Sequence, residues 1–198
     1  MRSLLVLSSG IDALNRWVGK GVGWLILIVV VISASNAISR KFFGLSSNAW
    51  LEMQWYFFGA IFLLAAGYTL LNNQHVRVDV LVSHWSERTQ VKIDVFGTLF
   101  FLLPVCLTIL WLSWPMAWES YVSQEMSSNS GGLIRWPAKM LIPVGFGLLT
   151  LAAVSHLIKC MGFLRGECPN PMKRVDSKTP EELLAEEIAR NAQAREQK

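Results

Sequence analysis

Four long apolar stretches constrain the fold of this chain more than any other feature. A hydrocarbon core about 30 Å thick is crossed by about 20 helical residues. Uninterrupted apolar runs of that length occur at about residues 21–39, 50–71, 93–117 and 137–163. Four helices buried in a soluble bundle would each need a polar face toward water, which these runs lack. The sequence therefore predicts an all-α integral membrane protein with four transmembrane helices.

The composition agrees with a membrane protein and excludes several other classes. Charged residues make up 16% of the chain, whereas about 25% is usual for soluble proteins. The net charge is +4, but the basic residues flank the apolar runs rather than form one patch, so no nucleic-acid partner is predicted. Cys106, Cys160 and Cys168 show no metal or disulfide spacing and are interpreted as reduced thiols.

The distribution of basic residues predicts how the chain is oriented. Near the span ends, ten Lys and Arg residues fall on the side of the termini and the 72–92 loop, and four fall on the other side. Basic residues accumulate on the cytoplasmic side of membrane proteins. Both termini and the 72–92 loop are therefore predicted to be cytoplasmic. The 40–49 and 118–135 loops would face the periplasm of a bacterial inner membrane.

Two segments lie outside the predicted membrane domain of residues 21–163. Residues 1–20 contain an apolar run that is too short for a signal peptide, and they are interpreted as a retained interfacial helix. Its apolar side would carry Leu4, Leu7, Ile11 and Leu14. Residues 164–198 form a polar cytoplasmic tail, with a short helix predicted at about 180–193 behind a capping box.

The 72–92 loop is the most informative polar stretch. Four of its valines alternate as in a strand, but a single strand at a membrane surface would leave its backbone groups unpaired. An interfacial helix is the better interpretation, with Asp79 as its cap and Trp85 and Arg88 within helical reach. Arg77 would then pair with a lipid phosphate, with Asp94 or with a partner protein.

Two acidic residues near the span ends are candidates for function, because acids within a span are costly. Glu52 lies near the outer end of the second span, where Arg40 and Lys41 are available as ion-pair partners. A proton-coupled exporter would also use a membrane glutamate, but this shallow depth favours a structural or partner-facing salt bridge. Asp94 begins the third span, where an acid suits the positive end of the helix dipole.

Histidines raise the possibility of a haem-binding respiratory anchor. His75 and His156 both lie near the cytoplasmic side, but axial ligands normally project from helices into a bundle core. An ordinary interfacial histidine is the simpler interpretation. The sequence shows no P-loop, no nucleophile with a base and no acid pair, so no enzyme activity, cofactor or metal site is predicted.

In its membrane region the sequence resembles the small permease subunit, or Q-type subunit, of TRAP transporters, the tripartite ATP-independent periplasmic carriers. The shared motifs, in chain order, are Glu52 in the second span, His75-Val76-Arg77-Val78-Asp79-Val80, Ile93-Asp94-x-x-Gly97, Pro104, Ser130-Gly131-Gly132-Leu133 and Trp136-Pro137-x-Lys139-x-x-Ile142-Pro143-x-Gly145-Phe146. The resemblance covers residues 20 to 160.

The resemblance implies a partner role. In this family a periplasmic solute-binding protein captures an organic acid or related small solute, and a large multi-span subunit carries it inward, driven by sodium. The small subunit belongs to the static scaffold and has no assigned substrate or sodium ligand. On this basis Glu52, Arg77, Asp79, Trp85, Arg88 and Asp94 are candidates for contacts with the partner or the membrane interface.

Three functional classes remain open from the sequence. A transporter scaffold predicts a large multi-span partner and no chromophore. A haem-binding or non-haem respiratory anchor predicts a redox partner, with a haem absorbance band in the first case. An autonomous exporter predicts transport by this chain alone.

Overall fold

The structure is a computed structural model that describes residues 2–45, 47–73 and 85–171. Within these ranges the chain is helical apart from its connecting segments and one isolated β-bridge, Met126 to Ile134. In chain order the elements are α1 (Arg2–Phe43), α2 (Asn48–Leu71), α3 (Glu87–Gly97), a π-helical turn (Thr98–Leu102), α4 (Leu103–Val122) and α5 (Trp136–Leu164).

Four helical stretches are long and apolar enough to cross a membrane: Ser3–Phe43, Asn48–Leu71, Glu87–Val122 and Trp136–Leu164. Each contains one of the apolar runs, so the predicted all-α chain with four candidate spans is confirmed. The side of the membrane that each end faces stays a prediction. We call the end where α1 begins and α5 ends the terminal end, and the opposite end the Glu52 end.

Helix α1 continues without a break through residue 20, where the sequence had suggested a boundary. Its 42 residues make it about 63 Å long at 1.5 Å per residue, roughly twice the thickness of a hydrocarbon core. The predicted apolar side of its first half is largely exposed, and Ser8, Asp12 and Asn15 are the buried positions. Residues 2–20 are therefore the first half of α1, and their polar side faces the other helices.

Helix α5 is the central element and packs against α1, α2 and α4. Small buried residues let its neighbours approach closely, as is common between membrane helices. The tightest approach is to α2, where a Cβ atom added at Gly145 would lie 2.7 Å from the Leu63 Cβ and 2.9 Å from the Leu63 carbonyl oxygen. The backbones of α2 and α5 are thus nearly in contact.

The third span contains a π-helical turn at Thr98–Leu102, immediately before Pro104. Proline lacks the backbone N–H, and its ring crowds the carbonyl group four residues earlier, which here belongs to Phe100. Widening the turn relieves that crowding. The effect of Pro104 on the third span therefore takes the form of a π turn between α3 and α4.

Several predictions fall outside the described residues. These are residues 74–84 of the predicted interfacial helix, including His75, Arg77 and Asp79, and the helix at about 180–193. They stay predictions. In the described part of the 72–92 loop, Trp85 and Ser86 are not helical and Arg88 belongs to α3, so the predicted helix does not run through Trp85 to Arg88.

Candidate functional site

Glu52 lies near the start of α2, and 6% of its surface is exposed. Its carboxylate accepts hydrogen bonds from the Ser127 hydroxyl, from Asn129 Nδ2 at 2.8 Å and from the Leu133 backbone N–H at 2.7 Å. All three donors belong to the segment between α4 and α5. We call these four residues the Glu52 cluster. A carboxylate that accepts several hydrogen bonds is held firmly, so the cluster ties α2 to this segment.

The segment from 123 to 135 folds as a small hairpin over Glu52. The Ser127 N–H donates to the Leu133 carbonyl at 3.0 Å and the Arg135 N–H donates to the Glu125 carbonyl at 2.8 Å. Gly131 has φ +70°, a conformation that side chains disfavour. A Cβ atom on Gly132 would lie 2.9 Å from Glu52 Oε1. The two glycines thus allow the turn and the close approach of the hairpin to the carboxylate.

The predicted pairing of Glu52 with Arg40 and Lys41 is wrong. Both basic residues are exposed at the end of α1, and Glu52 is instead saturated by hairpin donors. The physical reason is that the hairpin holds three donors, one of them a backbone N–H, within hydrogen-bond reach of the carboxylate. An ion pair with an exposed cation contributes little in comparison. The sequence signal that was missed is the Gly131-Gly132 pair followed by Leu133.

A second carboxylate fastens the other edge of the same hairpin. Glu125 accepts hydrogen bonds from Lys139 Nζ at the start of α5 and from Ser120 Oγ at 2.8 Å, and the Arg135 guanidinium is 3.8 Å away. The Lys139 hydrogen bond, followed by that of Ser120, lowers the pKa of Glu125 below its usual value of 4.5. Glu125 therefore joins α4 to α5 through an ion pair.

The lowered pKa predicts a defined pH dependence. In the unfolded chain Glu125 takes up a proton near pH 4.5, whereas in the folded chain it does so only at lower pH. The Glu125 contribution to stability is thus complete above pH 4.5 and is lost as the pH falls through the folded-state pKa. Acidification should therefore destabilise the unmodified chain more than the Glu125→Gln variant, which lacks the titrating carboxylate. Midpoints of thermal unfolding at a series of pH values measure the difference. An unchanged pH profile would contradict the assignment.

A separate polar cluster joins α1 to α5 at the terminal end. The Ser155 hydroxyl donates to Asp12 Oδ1 at 2.5 Å, the Ser8 hydroxyl lies 2.7 Å from Ser155 Oγ, and Lys159 Nζ donates to Asp12 Oδ2. We call these four residues the α1–α5 cluster. Ser8 and Ser155 are fully buried, and Asp12 is 6% exposed. Buried charges persist where they are paired in this way.

Removing the Asp12 charge tests the α1–α5 cluster. Asp12→Asn keeps an acceptor for Ser155 but loses the charge-assisted bond to Lys159, so we expect stability to fall by about 1–2 kcal/mol. Ser9→Ala is the matched control, because the exposed Ser9 hydroxyl bonds only its own helix, at the Val6 carbonyl. Unfolding in a denaturing-detergent titration measures both variants. Equal stability of the two would contradict the role assigned to Asp12.

The terminal end also brings together Asp94 of α3 and His156 of α5, which share a hydrogen bond. His156 is 4% exposed, and Cys160 Sγ lies 3.5 Å from the same nitrogen, Nε2. Haem ligation through this nitrogen would require breaking the contact with Asp94. Of the other predicted residues, Trp85 and Arg88 are exposed near the start of α3, and Arg77 and Asp79 lie outside the described residues.

Polar contacts therefore concentrate at the two ends of the bundle. Between them the structure places few bonds from one helix to another; one is Ser33 Oγ donating to Gln54 Oε1 at 3.1 Å, between α1 and α2. This arrangement fastens helices to one another.

Comparison with known proteins decides the family. Residues 23–162 match the sequence model of the tripartite ATP-independent periplasmic transporters, DctQ component. The chain belongs to this family. The predicted resemblance is thus confirmed, and the chain is the small permease component of a TRAP transporter, a multi-pass membrane protein of a transporter family rather than an enzyme family. No curated protein and no solved structure matches the chain.

The structure explains in physical terms two of the motifs on which the resemblance was based. The Ser130-Gly131-Gly132-Leu133 motif forms the turn that delivers the Leu133 N–H to Glu52. Lys139 in the next motif holds Glu125, and Gly145 allows α2 and α5 to touch. These TRAP motifs therefore serve helix packing and loop closure in this chain.

Proposed function

We propose that this DctQ chain is a fixed scaffold for the large permease subunit in sodium-driven uptake of an organic acid or similar small solute. A periplasmic binding protein would deliver the solute. The large subunit would carry it across the bacterial inner membrane while the small subunit stays still.

The observation that carries this proposal is the fastening of the helices at both ends. The Glu52 cluster and Glu125 tie α2, α4 and α5 together at one end. The α1–α5 cluster and the Asp94–His156 contact tie α1, α3 and α5 together at the other. If its helices moved relative to one another during transport, the chain would have to break several charge-assisted bonds, most of them partly buried, in every cycle. Such a set of contacts is better suited to a static body.

The outer surface supports a partner role. Large apolar side chains are exposed along α1 and α4, among them Trp24 at 71% and Trp111 at 80%. Such surfaces require lipid or another membrane protein. We propose that they are shared between lipid and the large permease subunit, and that the exposed Glu119 and the hairpin lie on the side visited by the loaded binding protein.

The distribution of basic residues favours one orientation of the chain in the membrane. We propose that both termini and the 72–92 loop are cytoplasmic, as the excess of Lys and Arg on that side favours. Trp85 lies just before α3 and Arg88 lies in its first turn; both are exposed and would lie at the level of the lipid headgroups. Arg77 and Asp79 would contribute to the same edge.

Affinity purification in mild detergent tests the scaffold assignment. The tagged chain is expected to bring down a large multi-span permease in equal amount, with no haem absorbance band. Sodium-dependent uptake in cells should then require both subunits and the binding protein. Recovery of a redox partner, with or without haem, or transport by this chain alone after reconstitution would overturn the proposal.

A further inference from the structure

Asp94, His156 and Cys160 bring three different metal-ligating groups to one point. A carboxylate oxygen, an imidazole nitrogen and a thiol sulfur all lie within 4.8 Å of one another. His156 and Cys160 are one helical turn apart on α5, so the helix itself fixes their spacing. Asp94 reaches them from α3. His156 is 4% exposed and Cys160 is fully buried.

The spacing of the two α5 donors matches that of a tetrahedral zinc site. With Zn–N of about 2.0–2.1 Å and Zn–S of about 2.3 Å, a tetrahedral angle places the nitrogen and sulfur about 3.5–3.6 Å apart. The observed distance between His156 Nε2 and Cys160 Sγ is 3.5 Å. The Asp94 carboxylate, which now touches Nε2, would have to turn aside to admit a cation between them.

The charges of this ligand set also favour a divalent cation. A carboxylate and a thiolate carry one negative charge each and neutral imidazole carries none, so these three ligands together match the two positive charges of the cation. Neutrality matters because an uncompensated charge in a buried site is costly. A mixed oxygen, nitrogen and sulfur set selects a borderline-soft ion such as Zn²⁺ over Mg²⁺ or Ca²⁺, which prefer oxygen ligands.

The hydrogen bonding at His156 Nε2 also favours a bound cation. The nitrogen faces both the carboxylate and the sulfur, yet a neutral imidazole nitrogen has either one hydrogen or one lone pair to offer. A single cation could accept the imidazole lone pair while also binding the carboxylate and the thiolate.

We propose that Asp94, His156 and Cys160 form a zinc-binding site that clamps α3 to α5 at the terminal end. Binding displaces one proton from the Cys160 thiol, and the remaining imidazole proton resides on Nδ1. The site is distinct from the scaffold role and needs no other subunit.

Metal content of the full-length chain tests this site. The protein carries a tag without histidines, is loaded with Zn²⁺ in detergent and is dialysed before elemental analysis. We expect about one zinc per chain, and an affinity at least about tenfold weaker in Cys160→Ser and in Asp94→Asn. Cys106→Ser is the matched control, because Cys106 is an equally buried thiol on α4, and it should bind as the unmodified chain does.

Two spectroscopic measurements keep the test decisive if a variant fails to fold. Co²⁺ in the unmodified chain should give a thiolate charge-transfer band, which Cys106→Ser retains. X-ray absorption of the zinc-loaded protein should show one sulfur at about 2.3 Å. Absence of stoichiometric zinc, absence of a sulfur ligand, or full binding by folded Cys160→Ser would each overturn the proposal and leave Asp94 and His156 as a direct hydrogen-bonded pair.

Discussion

Glu52→Ala is expected to release the 123–135 hairpin from α2 and to lower the midpoint of thermal unfolding by about 5–10 °C. The substitution leaves the Ser127 hydroxyl, the Asn129 amide and the Leu133 N–H without their common acceptor. Donors that lose a charged partner in a buried setting cost more than the bond itself contributed. Amide hydrogen exchange should accelerate in the hairpin and at the start of α5 but not at the terminal end.

Two further variants separate charge from shape at this position. Glu52→Gln keeps the size of the side chain but presents an amide NH₂ to a donor, so an intermediate loss of stability is expected. Glu119→Gln is the control, since Glu119 is exposed on α4, and it should leave the unfolding midpoint within about 2 °C, as is usual for surface positions. If the midpoint of thermal unfolding of Glu52→Ala were as high as that of Glu119→Gln, the Glu52 cluster would not stabilise the chain as proposed.

Gly145→Ala is expected to push α2 and α5 apart and to destabilise the chain by about 2–3 kcal/mol. The added methyl group would meet the Leu63 backbone at 2.9–3.0 Å, and a backbone in the middle of a helix cannot turn aside as a flexible side chain does. Because α5 is the central helix, the displacement would also disturb its contacts with α1 and α4.

A glycine two residues away provides a control of opposite sign. A Cβ atom added at Gly147 has nothing within 4 Å, so Gly147→Ala should be neutral or stabilising by up to about 1 kcal/mol, through the higher helix propensity of alanine. The difference between the two variants, measured by unfolding in a detergent titration, reports the close approach alone. Equal stability of Gly145→Ala and Gly147→Ala would contradict the packing of α2 on α5.

The spans were predictable from the sequence because hydropathy acts over whole helices. The runs at 50–71 and 137–163 agree with α2 (Asn48–Leu71) and α5 (Trp136–Leu164) to within two residues at each end. The start of α1 was not predictable in this way, because a helix can continue beyond the apolar stretch. The polar side of its first half, at Ser8 and Asp12, is buried because α5 offers Ser155 and Lys159 at matching positions.

The candidate residues show that the partner of a charged side chain cannot be inferred from its neighbours in the sequence. Glu52 was singled out as an acid near a span end, but its donors lie 75 to 81 residues away in the chain. Asp94 was assigned to its own helix dipole, whereas its partner His156 lies 62 residues away on α5. No spacing rule connects such pairs, since tertiary packing brings them together.

The most direct test of the fixed scaffold is to lock its helices covalently and measure transport. Ser8→Cys combined with Ser155→Cys places two thiols where the hydroxyl oxygens now lie 2.7 Å apart, so oxidation should join α1 to α5. In the assembled system, uptake of the solute retained by its binding protein should be unchanged by this crosslink and equal to that of each single variant. A loss of uptake on oxidation that a reductant restores would show that these helices move during transport, and would contradict the scaffold role.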